Sequence, residues 1–180
     1  MNAPRSFPLV KNLNFFMQPQ QQDNWCWAAV AASVSAYFNP HTIWTQCRVA
    51  NGVLGRTDCC PNNADCNVKS YLEDVLRVTG NLEWWKSGEC PSDNLVYEII
   101  NNNRPVCVRV AWKGPVTEPF KIQLPSSIGH FFAITGFNSS LDWVTVMDPA
   151  WGLSMVSRDA LRSYGYRGSG IWTTTYFVRP

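Results

Sequence analysis

The rhythm of apolar and polar positions changes near the middle of the chain. From Trp25 to Phe38 the run WCWAAVAASVSAYF is almost continuously apolar and small. Alanine is the strongest helix former, and a helix apolar nearly all round is one buried on most sides. Asp23 and Asn24 supply polar capping residues before it, and Asn39-Pro40 stops it. A second helix is read over His41 to Val53. VKSYLEDVLRVT, residues 68–79, spaces Tyr71, Leu72, Val75, Leu76 and Val78 as an amphipathic helix, and SDNLVYEIIN, residues 92–101, forms another capped by Ser92 or Asp93. Past Asn103 the segments RPVCVRVAW, GHFFAITGF, LDWVTVMD and IWTTTYFV are rich in β-branched and aromatic residues and bounded by turn residues. That composition predicts strands of one antiparallel sheet. Lys113 to Ile128, with Pro115, Pro119 and Pro125, reads as a long loop. Residues 1–19 read as extended, and the chain as one α+β domain, with a helical lobe over about 20–102 and a β lobe over about 103–180.

Composition narrows the function classes. The 180 residues are 46% hydrophobic and 13% aromatic, nine of them tryptophan, which is enough for a sizeable core. Charged residues are 16%, and a net charge of +2 points to neither nucleic acid nor an anionic membrane surface. No apolar run approaches the roughly 20 residues that span a bilayer. The start MNAPRSFPLVKN carries no apolar stretch of signal-peptide type. The expected partner is a protein or peptide, and the expected state a monomer.

Seven cysteines divide into two kinds. Cys47, Cys59, Cys60 and Cys66 crowd into CRVANGVLGRTDCCPNNADC, a segment rich in turn residues, and read as a disulfide-stapled excursion in an oxidising, exported setting. A bridge between the vicinal Cys59 and Cys60 would be strained, leaving Cys47–Cys59 with Cys60–Cys66, or Cys47–Cys60 with Cys59–Cys66. Zinc is the weaker reading, because no CxxC pair is present. Cys90 and Cys107 are candidates for a third bridge, which leaves Cys26 as the single free thiol.

Cys26 stands at the first turn of the buried helix, where unpaired N–H groups and the macrodipole favour a thiolate. Such a thiol is equally well a small core residue unless a base stands beside it. Of two histidines, His41 follows a helix stop and suits a capping or surface role, whereas His130 opens a strand. If that strand and LDWVTVMD form a hairpin with a turn centred on Ser139, His130 lies directly opposite Asp148. Opposed residues share a face, so Asp148 would take the imidazole Nδ1–H and leave Nε2 for the nucleophile. An oxyanion formed by attack on a carbonyl needs preorganised donors, which a glutamine amide from among Gln20, Gln21 and Gln22 and the Cys26 N–H can supply.

A glutamine, a cysteine followed by tryptophan at a buried helix start, a Gly-His at a strand start and an Asp near a Trp-Gly together resemble the papain-like cysteine proteases. The resemblance picks Gln20, six positions before Cys26, as the oxyanion donor, and likens DPAWG, Asp148 to Gly152, to that family's Asn-Ser-Trp-Gly element, with Trp151 as a shield over the His–Asp bond. The chain departs from it in having Asp for Asn and in spacing Trp151 one position further away. Both departures, with NWCWAA and the cysteine cluster, resemble compact bacterial members such as plant-pathogen effector proteases and staphopains. The resemblance implies a helical N-terminal lobe packed on an antiparallel sheet, a cleft between them with Trp27 and Trp151 near its floor, and peptide hydrolysis through an acyl-enzyme. Cys26 would be nucleophile, His130 base, Asp148 its orienter, and no metal or cofactor is called for. The same chemistry serves amidases, deamidases and transglutaminases acting on glutamine, and a non-catalytic stapled binding module is the reading from a different class.

Overall fold

The computed structural model describes residues 10–61, 63–117 and 122–180, with the side chains of 115–126 outside the description. The expected extension of residues 1–9 and the tip of the expected loop at 118–121 lie outside the described residues. The fold is α+β. Seven strands form one antiparallel sheet: β1 (Val10–Asn12), β2 (Leu82–Ser87), β3 (Val106–Thr117), β4 (Ile122–Asn138), β5 (Trp143–Asp148), β6 (Gly152–Ser157) and β7 (Gly170–Val178). Their order is β2-β7-β3-β4-β5-β6, and β1 pairs with the end of β4 at Gly136–Asn138, beyond the residues of β4 that β3 covers.

The helices are α1 (Cys26–Phe38), α2 (Gln46–Leu54), α3 (Leu72–Val78), α4 (Ser92–Leu95), which runs on as a π-helical turn Val96–Asn101, and α5 (Arg158–Arg162). Period-two alternation sorts the strand residues onto two cores. Cys107, Phe131, Ala133, Tyr176 and Val178 pack with α1, α2 and α3. Their neighbours Val106, Val108, Phe132, Ile134 and Phe177 pack with Leu95, Ile99 and Leu161 on the opposite face. A sheet buried on both faces has near-continuous apolar strands, which is why GHFFAITGF reads so strongly in the sequence. Every residue of α1 from Cys26 to Ser35 is buried, as its lack of a polar face requires.

Several local expectations are corrected. Lys113 to Ile128 is not a loop over its length: β3 and β4 run into it as a long ribbon, with Lys113 paired to Pro125 and Thr117 to Ile122, because prolines are tolerated at ribbon edges and irregular register. Asp23 and Asn24 do not cap α1. Trp25 stands at the N-cap without a side-chain cap, and Asn24 instead bonds Asn67 through both its backbone N–H and its Nδ2 at 2.9 Å. LEWWKS and GLSMVS are strands that composition left unread. Their exposed tryptophans and leucine blur the alternation, since β2 and β6 are the two edges of the sheet.

The cysteine excursion holds two bridges, Cys47–Cys60 and Cys59–Cys66. The expected third bridge is absent, leaving three free thiols, Cys26, Cys90 and Cys107. Cys90 and Cys107 belong to the cores on opposite faces of the sheet, so the sheet itself separates them. Burial pushes the Cys90 thiol up to about 12 and the Cys107 thiol higher still.

Candidate active site

The two tryptophans around Cys26 tie the start of α1 to the stapled excursion. Trp25 donates its indole N–H to the Cys66 carbonyl at 2.7 Å, and Trp27 donates to the Val68 carbonyl at 3.0 Å. Both rings are fully buried. The Cys59–Cys66 bridge therefore fixes the chain that receives Trp25, and α1 begins at a defined place on that chain. Cys26 sits at the first position of α1, 8% exposed, where the backbone N–H groups of the first turn have no side-chain cap.

A cleft of about 490 Å³ opens beside it, lined among others by Gln20, Cys26, Trp112, His130 and Trp151. His130 Nε2 lies 2.9 Å from Asp148 Oδ1, and the ring is also hydrogen-bonded to the Cys26 side chain. His130 and Asp148 are both buried. Burial disfavours the charged ring, but the hydrogen bonds to Asp148 and Cys26 and their negative charge outweigh it and raise the His130 pKa to about 9. Burial likewise works against the Asp148 carboxylate, yet the bonds from His130, Tyr166 and the Ala150 N–H hold its pKa below the usual range.

The structure brings His130 and Asp148 together by a different register from the one expected. Ala133 pairs with Met147 and Ile134 with Val146, so Asp148 falls opposite Phe132, two residues along the strand from His130. Such diagonal neighbours share a face and remain within reach of long side chains. With the carboxylate displaced along the strand, it is the distal ring nitrogen that meets it. The expected use of the ring is thereby inverted: Nε2 serves Asp148 and Nδ1 remains for the sulfur.

Asp148 is held more fully than its sequence context foretold. Its Oδ1 also accepts the N–H of Ala150 at 2.7 Å and of Trp151 at 3.1 Å, the turn chemistry of an Asp followed by Pro. Its Oδ2 accepts the Tyr166 hydroxyl at 2.5 Å. Tyr166 is buried, and burial followed by the adjacent carboxylate pushes its phenol pKa up, so it stays a donor. Tyr166 was missed because it lies 18 residues from Asp148 in a segment without periodicity. Trp112 was missed too: its ring lies 6.3 Å from the His130 ring, and Trp151 meets His130 edge-on at 4.9 Å. Trp27 lies buried at the cleft, whereas Trp151 is 48% exposed and covers the His130 ring from the solvent side.

Gln20, the glutamine that the resemblance picks, lines the cleft, and its N–H bonds the Pro149 carbonyl at 2.9 Å, joining the glutamine segment to the Asp148 turn. Its amide N–H₂ is engaged by the carbonyls of Gln22 at 3.0 Å and Asp23 at 2.8 Å, while Oε1 is buried without a partner. His41 is exposed and lies outside this cleft. Among the described residues, the grouping Asp58, Cys59 and Cys66 is close enough for a metal, but its two sulfurs are bonded to each other and offer no thiolate.

The model of the Peptidase_C39 like family matches residues 11–170. The chain belongs to that family. Its match runs from β1 to the start of β7 and so includes the whole cleft, and it makes the protein one of cysteine-peptidase type. No curated protein matches the chain. The two disulfides fit an oxidising environment, and among the described residues no helix is long and apolar enough to cross a membrane.

Proposed function

We propose that this protein is a cysteine endopeptidase that hydrolyses a protein or peptide through a Cys26-His130-Asp148 triad. The observation that carries the reading is the buried His130 ring, bonded on one side to Asp148 and on the other to the only free cysteine of the cleft. A histidine with its pKa raised to about 9 is protonated at neutral pH, and an imidazolium beside a thiol at a helix start stabilises the thiolate. The thiolate attacks the peptide carbonyl, forming a C–S bond and a tetrahedral oxyanion. His130 gives its proton to the leaving amine as the C–N bond breaks, and then takes a proton from the water that hydrolyses the thioester.

Asp148 keeps the ring oriented throughout and favours its charged form. The Cys26 N–H and Gln20 stabilise the oxyanion. Gln20 does so by exchanging its solvent-side bond to the Asp23 carbonyl for one to the substrate oxygen. The reading includes a single peptidase domain working as a monomer in an exported, oxidising setting, of the compact bacterial papain-like kind. The two disulfides support the oxidising setting, and the family match over most of the chain supports a domain of cysteine-peptidase type.

The test is alkylation of the unreduced protein with iodoacetamide at about pH 6, where an ordinary thiol of pKa about 8.5 reacts slowly. Peptide mass mapping should find Cys26 modified rapidly, with Cys90 and Cys107 untouched because burial keeps both protonated. A slow Cys26, or one no faster than in His130→Ala, overturns the triad.

A further inference from the structure

The cleft is lined by two cationic side chains, Lys69 and Arg109, that have no carboxylate partner among the described residues. Lys69, next to Ser70 and Tyr71, is exposed and forms no ion pair among the described residues. Arg109 of β3 is half-buried, and among the described residues its guanidinium bonds neutral oxygens, Thr173 Oγ1 at 2.9 Å and the Ser127 carbonyl at 2.8 Å. It lies across the backbone just before His130. A Cβ on Gly129 would come within 2.4 Å of the Val110 carbonyl, which by itself demands a glycine there, and within 2.9 Å of Arg109 Cζ and Nη2, so the guanidinium packs directly on that backbone. Glu73 of α3 is engaged with Tyr176, which also senses Arg109, and does not line the cleft. Apart from His130, the other charged residue among the described residues of the lining is Asp23, on the glutamine side.

A guanidinium has five N–H donors in a rigid fork, and two are used among the described residues. The free donors match a carboxylate, the one peptide side-chain group that neutralises the charge and takes two parallel bonds. We propose that this part of the cleft is a specificity subsite for an acidic side chain, Asp or Glu, of the peptide, with Arg109 as its anchor and Lys69 as a second, solvent-side charge. The inference rests on Cys26 being the nucleophile, because selection is exerted on the peptide held beside that sulfur.

The test uses N-blocked tripeptidyl chloromethyl ketones of alanine in which the second or third residue before the ketone is Glu, Gln or Lys. The Cys26 thiolate displaces chloride and forms a thioether, and intact mass follows the rate without any knowledge of the natural substrate. Iodoacetamide serves as the reference that lacks a side chain. At one of the two positions the Glu probe should react about tenfold faster than the Gln probe, equivalent to about 1.4 kcal/mol, and the Lys probe most slowly. The Glu preference should shrink as salt is raised, since Lys69 is exposed.

Arg109→Gln should bring the Glu-to-Gln ratio to within about twofold. Lys69→Gln, at an exposed site that does not endanger folding, should lower the ratio part of the way. The ratio is internal to each variant, so a general loss of activity does not imitate the effect. Fast iodoacetamide modification of Cys26 with equal Glu and Gln rates at both positions overturns the subsite and leaves the proposed function standing. Slow iodoacetamide modification overturns the proposed function and the subsite with it.

Discussion

The two walls that meet at Cys26 and His130 are held by different physics. The helical wall is pinned by covalent bonds and donated indole hydrogens: Cys59–Cys66 fixes a short excursion, and Trp25 and Trp27 hang the start of α1 from its carbonyls. The sheet wall is pinned by backbone register and by the side-chain bonds that converge on Asp148. The difference teaches where each wall is vulnerable. The helical wall should lose its anchor if its staple is cut. The sheet wall, paired through its backbone, should keep its shape on losing a single side-chain bond, whereas the protonation of His130 should change.

The largest effect should come from the point of contact. His130→Ala should lower peptide hydrolysis by about 10²–10⁴-fold, the usual worth of a general acid–base, while β4 remains paired on both sides. Activity assay beside circular dichroism separates the two outcomes, and a folded variant of unchanged activity would show that the walls meet without working together.

Asp148→Asn comes next. It removes the charge that helps hold the His130 pKa near 9, so the ring should lose its proton at lower pH and the high-pH limb of the alkylation rate should move down. The same shift is a stability statement. A histidine raised from 6.5 to about 9 contributes stability that is fully present below about pH 6.5 and lost as pH rises through about 9. Thermal melts of the protein minus those of Asp148→Asn should therefore narrow over that window, and a constant difference would remove His130 from the linkage.

Cutting the other wall sharpens the comparison. Cys59→Ser with Cys66→Ser opens a short loop, for which the chain-entropy estimate is about 2–3 kcal/mol of stability. Because Trp25 hangs from the Cys66 carbonyl, Cys26 alkylation should also slow. Denaturant melts read the first effect and mass mapping the second; a stability loss with unchanged Cys26 reactivity would mean that α1 keeps its place without the staple.

The smallest effects belong to supports of the sheet wall. Tyr166→Phe deletes one bond to a carboxylate, about 1.5–3 kcal/mol. It should raise the Asp148 pKa toward the ordinary value. A lowered carboxylate pKa gives stability that is present above the unfolded value and lost as pH falls through the folded one. The acid limb of stability should thus move to higher pH in the variant. Trp151→Ala, at a half-exposed ring, should slow turnover by about tenfold or less, because it admits water to the His130–Asp148 bond without removing either partner.

The chain's own pattern was enough to suggest the buried helix at Trp25–Phe38, the four apolar strands of the second half, the stapled excursion, and Cys26, His130 and Asp148 as the residues of interest, whereas the choice of Gln20 among three glutamines came from the resemblance to papain-like proteases. Those features rest on local causes. Alanine content, β-branching, turn residues and cysteine crowding act within a few positions of themselves. Period and spacing therefore disclose them, and the family match over residues 11–170 agrees with the cysteine-peptidase type they imply.

Only the tertiary structure decided the rest, because its causes lie between segments. Which cysteines pair depends on the path of the excursion. Whether Cys90 can meet Cys107 depends on the faces of the sheet on which they lie. The ring nitrogen facing Asp148 depends on a two-residue offset of register that no alternation pattern encodes, since same-face residues look alike at every even shift. Tyr166 under Asp148 and Arg109 across Gly129 join the site by crossing from other strands and turns. Sequence carries the residues that do chemistry; the packing of distant segments carries their partners, and in this protein the partners set the charge of the site.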